Sequence, residues 1–205
     1  MLSLLLSAVL AWPVTFPGGP TITLSLPDDN PDDPSTYFRP ETVFNPQHSS
    51  AAVLRCGTAG ANLDRCRVFL VDPSRGSRPL PQGEMGGFPA LKWTPDGRYL
   101  IAAGEHSLRL WNLRGDVRGI TPGVAVDPPE QLLSRWVKGV EVRGHWLCVR
   151  TEVELGVPLY ASPGLPDAHV ESGPPHTRHV DVRQAYRWPT LQNGTPADDR
   201  RCQGM

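Results

Sequence analysis

ALKWTPDGRYLIAAGEHSLRLWNL, residues 90–113, decides the fold. Leu91 and Trp93 alternate with Ala90 and Lys92, as a strand with one buried face requires. Pro95-Asp96-Gly97 follows, a turn signal in which proline presets φ, aspartate bonds its own backbone and glycine accepts positive φ. Residues 99–103 and 108–112 are then aliphatic, aromatic or small, and suit two further strands. The segment thus reads as three short strands, the first two joined by a tight turn.

A second copy lies upstream. In TVFNPQHSSAAVL, Phe44 and Pro46 precede Trp93 and Pro95 by 49 positions, and Asp72 of VFLVD precedes Asn112 of LRLWN by 40. The difference falls in CGTAGANLDRC, residues 56–66, which reads as a hairpin loop enlarged in the first copy, since stacked repeats take insertions in loops. A period of 40 to 49 residues brackets that of a four-stranded blade.

The segment 90–113 resembles the core of one WD-repeat blade, with Leu-Trp-Asn in place of Leu-Trp-Asp, and the resemblance extends over residues 42–126. It implies an all-β fold, a small or incomplete β-propeller-like array of antiparallel four-stranded blades, with Trp93, Pro95, Asp96, Gly97 and Trp111 as structural residues. The chain departs from the family where Ala102 and Ala103 occupy the serine region and Glu105 and His106 the position of the turn aspartate. The internal polar network of the family is therefore not expected. WVKGVEVRGHWLCVRTEV, residues 136–153, reads as two strands around Arg143-Gly144-His145 and is a candidate third unit. TITLSL, with Ile22, Leu24 and Leu26 on one face, and HVDVRQAYRW, with Val180, Val182, Tyr186 and Trp188 on one face, read as terminal strands that would pair to close a degenerate blade. A homodimer completing one ring and an open stack capped by loops are the other arrangements.

Composition agrees with many turns and short elements. The 205 residues include 20 Gly and 23 Pro, and proline is excluded from helix interiors and central strands. The net charge of −1 provides no excess with which to neutralise a nucleic-acid backbone.

Residues 2–12, LSLLLSAVLAW, are uncharged and apolar, long enough for the hydrophobic region of a signal peptide and too short to span a bilayer. The expected organisation is a leader over residues 1–19, one propeller-like domain over 20–190 and a flexible tail over 191–205, without a transmembrane anchor. Cys56, Cys66, Cys148 and Cys202 form an even set with no two-residue spacing of the metal or redox type, so disulfides are expected. Cys56 and Cys66 flank the predicted hairpin loop and are the preferred pair, leaving Cys148 with Cys202. Export and disulfides imply each other.

Few residues suggest chemistry. Asp28, Asn30 and Asp32 open with the alternate spacing of a calcium loop, but Asp33 stands where the sharp turn needs glycine and Arg39 where a bidentate glutamate closes the site. His169, His176 and His179 form the one histidine cluster, and Glu141, Glu152 and Glu154 alternate as a wet strand face would. Neither a nucleophile elbow nor a phosphate-binding glycine loop occurs. No cofactor is expected. The functional expectation is an exported binding or scaffold protein that presents blade loops to a protein or glycan. The alternative is an exported hydrolase or lyase on the same scaffold.

Overall fold

The computed structural model describes residues 9–27, 40–58, 64–83, 85–86, 90–105, 107–124, 126–127, 130–156, 177–192 and 200–204. It is all-β, with four antiparallel sheets and two compact units, residues 1–105 with 109–119 and residues 106–108 with 120–205.

The first unit contains two meanders. Strands β3 (Glu41–Phe44), β4 (Ala51–Thr58), β5 (Asp64–Asp72) and β6 (Gly76–Pro79) pair in sequence order, and β7 (Met85–Gly86) adds to β5 beyond the end of β6. Strands β8 (Ala90–Trp93), β9 (Tyr99–Ala103), β10 (Leu108–Asn112) and β11 (Val117–Ile120) form the second meander. Alternation along β4 and β5 sends two sets of side chains to opposite faces. Ala52, Leu54, Val68 and Leu70 join Leu91, Trp93, Leu100, Ala102 and Trp111 in the core between the meanders. Ala51, Val53, Phe69 and Val71 face the other way and pack on Val14, Phe16 and Leu24.

Those last residues belong to a hairpin of β1 (Val9–Thr15) and β2 (Thr21–Pro27), in continuous register from Val9↔Pro27 to Thr15↔Thr21. Residues 9–15, expected within the leader, thus supply a strand whose Val14 is 1% exposed. Trp12 anchors the hairpin by donating its indole N–H to Thr42 Oγ1 at 3.2 Å. The outward residues Pro13, Thr15, Thr21, Thr23 and Ser25 are exposed, so one face of the ribbon is wet.

The second unit is a three-stranded sheet of β12 (Gln131–Arg143), β13 (Trp146–Gly156) and β14 (Thr177–Arg187) in the order β12-β13-β14. Irregularities in register at Leu132/Ser134 and Val137/Gly139 bend β12, whereas β13 and β14 match residue for residue from Trp146↔Arg187 to Gly156↔Thr177. One face buries Val153, Leu155 and Val182 against Val124, Val126 and Leu132. On the other, Cys148 is bonded to Cys202, which ends a 3-10 turn at Arg200–Cys202 and is itself fully buried.

The expected pairing of terminal strands is corrected. β2 pairs with β1 and β14 with β13, each across a local connection, and the two lie in different sheets. Closing a short loop costs less chain entropy than joining opposite ends of the chain. In the first hairpin the turn is made by Phe16-Pro17-Gly18-Gly19-Pro20, with Phe16 N–H donating to Pro20 O at 3.1 Å. The candidate third unit has three strands, with β14 beside β13, and closure of a propeller ring is not seen among the described residues.

Candidate functional site

The two meanders turn their corners in the same way. Asn45 N–H donates to Ser50 O and His48 N–H to Asn45 O; 49 positions on, Thr94 N–H donates to Tyr99 O and Gly97 N–H to Thr94 O. The second corner repeats at an offset of 40, where Arg75 N–H bonds Asp72 O and Gly115 N–H bonds Asn112 O. Side chains hold each turn: Asp72 Oδ1 accepts from Ser74 N–H at 2.8 Å, and Asn112 Oδ1 accepts from Arg114 N–H at 2.9 Å and Asp116 N–H at 3.0 Å. These are Asx turns, in which a side-chain oxygen replaces a backbone carbonyl.

The sheets are also tied in phase. Gln47 Nε2 donates to the carbonyl of Asp96, its own counterpart 49 positions later, at 3.3 Å. Trp93 Nε1 donates to Val43 O at 2.9 Å, and Arg78 donates to the carbonyls of Leu113 and Arg114 at 2.7 and 3.1 Å. Gly97 has φ +67, and a Cβ there would overlap the Gln47 side chain. Trp111 Nε1 donates to Pro81 O at 2.8 Å, so its indole anchors a neighbouring turn.

That turn, residues 80–83, borders a cleft of about 460 Å³ in the first unit. Arg67, Phe69, Pro79, Leu80 and Gln82 line it. Leu80 N–H donates to Val68 O at 2.9 Å and Gly83 N–H to Leu80 O at 3.0 Å, which seats the turn against β5. Gly83 is required by close approach, since a Cβ would lie 2.7 Å from Leu80 O and 3.2 Å from Val68 O. Gln82 adopts φ 50, a left-handed conformation uncommon for a residue with a side chain. Its Oε1 accepts from Arg109 Nη1 at 2.9 Å. An arginine offers only donors, so the amide oxygen faces Arg109 and the amide NH₂ is the group Gln82 has left to offer.

In the second unit, Glu152 is ion-paired with Lys138 Nζ and lies beside His179 Nδ1, each at 3.3 Å. Glu154 Oε2 accepts from Ser134 Oγ at 2.8 Å, and Glu141 from Arg143 at 2.7 Å. Arg150 Nε lies 3.5 Å from Asp181 Oδ1, an ion pair without hydrogen-bond geometry. Arg178 grips Glu130 through two hydrogen bonds of 2.6 Å, and that guanidinium holds the Glu130 carboxyl below the usual carboxylate range. Glu141, Glu152 and Glu154 thus share a sheet face, each against its own cation or hydroxyl rather than against one another.

Asp28, Asn30, Asp32, His169 and His176 lie outside the described residues. His179 is described, on β14 opposite Glu154 and in contact with Glu152. No group of three or more metal-ligating side chains is assembled among the described residues, and none of their helices is long and apolar enough to cross a membrane. Both bridges form: Cys56 and Cys66 are register partners across β4 and β5 and are disulfide-bonded, as are Cys148 and Cys202. Sequence reasoning missed the cleft. Its one advance sign was PLPQG, residues 79–83, a turn-forming run directly after the first meander. Compared with protein families, with characterised proteins and with solved structures, the chain shows no match.

Proposed function

We propose that the chain is an exported binding or scaffold protein in which WD-repeat-like blades, stacked in phase, present loops and clefts to a protein or glycan partner. The observation that carries this reading is the hydrogen bond between Gln47 and its counterpart Asp96, with Trp93 to Val43 and Arg78 to Leu113 beside it. At the Gln47 to Asp96 tie a position of one unit meets its own equivalent in the next, which agrees with the geometry of a repeat array. Rigid arrays of this kind serve recognition through their connecting loops, and that link from architecture to role is an analogy of fold. Two disulfides support export, because such bridges persist in oxidising compartments.

Fractionation of the native host, thiol alkylation and cross-linking of the intact chain test the reading together. The expected result is a chain outside the cytoplasm with all four cysteines oxidised and one macromolecular partner cross-linked to the repeat loops. A cytoplasmic chain with alkylatable cysteines overturns export. Turnover on a panel of hydrolase and lyase substrates, abolished by substitution at Glu152 or His179, would replace binding by catalysis.

A further inference from the structure

We infer that the charged face of the second unit, around Arg150 and Arg183, binds an acidic glycan through a uronic-acid carboxylate. The inference takes the glycan branch of the binding-protein reading and rests on it.

Arg150 and Arg183 stand directly opposite each other across β13 and β14. Val182 and Gln184, which flank Arg183, are buried, so strand alternation sends Arg183 to the other face, the one that carries Arg150, Glu152 and Asp181. Like charges placed opposite each other on a sheet repel. Arg150 is offset by Asp181, whose Oδ1 lies 3.5 Å from its Nε. Arg183 has no counter-ion among the described residues, and its Nε is buried without a hydrogen-bond partner. Two guanidinium groups thus share one carboxylate, which leaves one positive charge in excess on this face. The pair is reachable, since Arg183 is half-buried and the side chains of Arg150 and Asp181 are 37% and 45% exposed. Gly139, opposite Arg150 on the β12 side, brings no side chain of its own to that row. A carboxylate laid against the planar donor fork of Arg183 supplies the missing negative charge.

The surrounding groups select the body that carries this carboxylate. Glu152 and Asp181 are acceptors and Lys138 is a donor, a mixture suited to hydroxyl groups, which both donate and accept. Trp136, the register partner of Glu152, lies one row from Arg150 on the same face, half-buried, with Lys138 Nζ 5.6 Å from the centre of its ring. An indole offers a flat apolar surface to the C–H side of a sugar ring. The two carboxylates repel a polymer with a phosphate at every unit, whereas a chain of mostly neutral hydroxyls with an isolated acid group matches one uncompensated cation.

The test uses the full chain with both disulfides intact and calorimetric titration with hexasaccharides of hyaluronan, polymannuronate and polygalacturonate, each beside its carboxyl-reduced neutral form. The expected result is that at least one acid binds, with its neutral form about tenfold to a hundredfold weaker, the span of a hydrogen bond to a charged group. Arg183→Gln keeps a polar side chain and removes the charge, so affinity for the acid should fall about tenfold or more with an unchanged circular dichroism spectrum. Arg183→Lys keeps the charge without the fork and should bind with intermediate affinity. The comparison of acid with neutral form decides the matter even where a variant fails to fold. Equal affinity for acid and neutral forms, no binding of any of the three acids, or full affinity in Arg183→Gln overturns the inference. So does tighter binding of a phosphoserine peptide than of every uronate, which would assign the pair to a phosphoryl group on a protein. A protein partner cross-linked to the repeat loops leaves the binding-protein reading standing after any of these results, whereas chemical conversion of a bound uronate would remove that reading and keep the site.

Discussion

The two disulfides span very different lengths of chain, and their removal should therefore have unequal effects. Cys148 and Cys202 are 54 positions apart and Cys56 and Cys66 are 10 apart. Loop-closure entropy in the unfolded chain gives about 4.2 kcal/mol for the longer bridge and about 2.7 kcal/mol for the shorter, a difference of about 1.5 kcal/mol. All four cysteines are buried, so replacing each pair by alanine removes similar side-chain volume and leaves the entropy term to decide the order. Each bridge lies within one compact unit. Native-state hydrogen exchange at β4 and β5 amides reads the loss in Cys56→Ala/Cys66→Ala, and exchange at β13 and β14 amides reads it in Cys148→Ala/Cys202→Ala. The second variant also loses the covalent tie between the 3-10 turn and β13 while Arg201 still stacks on Trp146 at 4.1 Å and Arg143 still bonds Gln203 O at 2.7 Å, so β13 should loosen beside Trp146. A larger loss in the first variant, or a loss below about 1 kcal/mol in the second, would refute the reasoning.

Trp111→Ala removes a side chain that is 1% exposed and leaves Pro81 O without its donor, so equilibrium denaturation should show a loss of about 3 to 5 kcal/mol. Phe16→Ala should destabilise the first unit by about 3 kcal/mol, because Phe16 is buried with Val14 and Leu24 and meets Phe44 edge to face; a change under about 1 kcal/mol would mean that the hairpin contributes little. Gly97→Ala places a Cβ against Gln47 at positive φ and should cost about 1 to 3 kcal/mol in thermal or urea unfolding. Asp72 is held below the ordinary carboxylate range by the Ser74 hydroxyl and by the N–H groups of Ser74 and Arg75, a pull larger than the opposing effect of its burial. Burial raises the Asp96 pKa, but Thr94 and the Arg98 N–H outweigh it and the net direction is down. Both depressed groups contribute stability above their unfolded value, near about pH 4, and lose it as pH falls through the folded one, so the chain should weaken with acid. Asp72→Asn, which copies Asn112 at the equivalent corner, should fold with a cost below about 1 kcal/mol and flatten part of that dependence in urea melts taken from neutral pH downward.

The meanders were legible because their cues are local. Pro95-Asp96-Gly97 sets a turn within four residues, and the offsets of 49 and 40 read from Phe44, Trp93, Asp72 and Asn112 recur in the corner hydrogen bonds. The Cys56 to Cys66 bridge followed from the same hairpin logic. The first strand was hidden by composition: an uncharged apolar run reads equally as a leader and as a strand that packs on a sheet, and its partner β2 was assigned to the far end of the chain. Pro17-Gly18-Gly19-Pro20 between two alternating runs was the available signal for the hairpin. The cleft was not legible. It depends on β5, β6 and a turn meeting in space, and on a positive φ at Gln82, which no glycine or asparagine announces.

Between the two meanders, the donors in the ties described above are side chains and the acceptors are main-chain carbonyls. Trp93, Arg78 and Gln47 must keep their identity to make these bonds, but Val43, Leu113, Arg114 and Asp96 take part through an atom that every residue possesses. Mutational drift at Leu113 and Arg114, whose side chains take no part in these bonds, therefore leaves the joint intact. A lineage can vary the outward loops at residues 113 and 114 and retain the stacking register. Tolerance to variation is thus asymmetric across one interface, with Leu113 and Arg114 free to diversify where Arg78 is not.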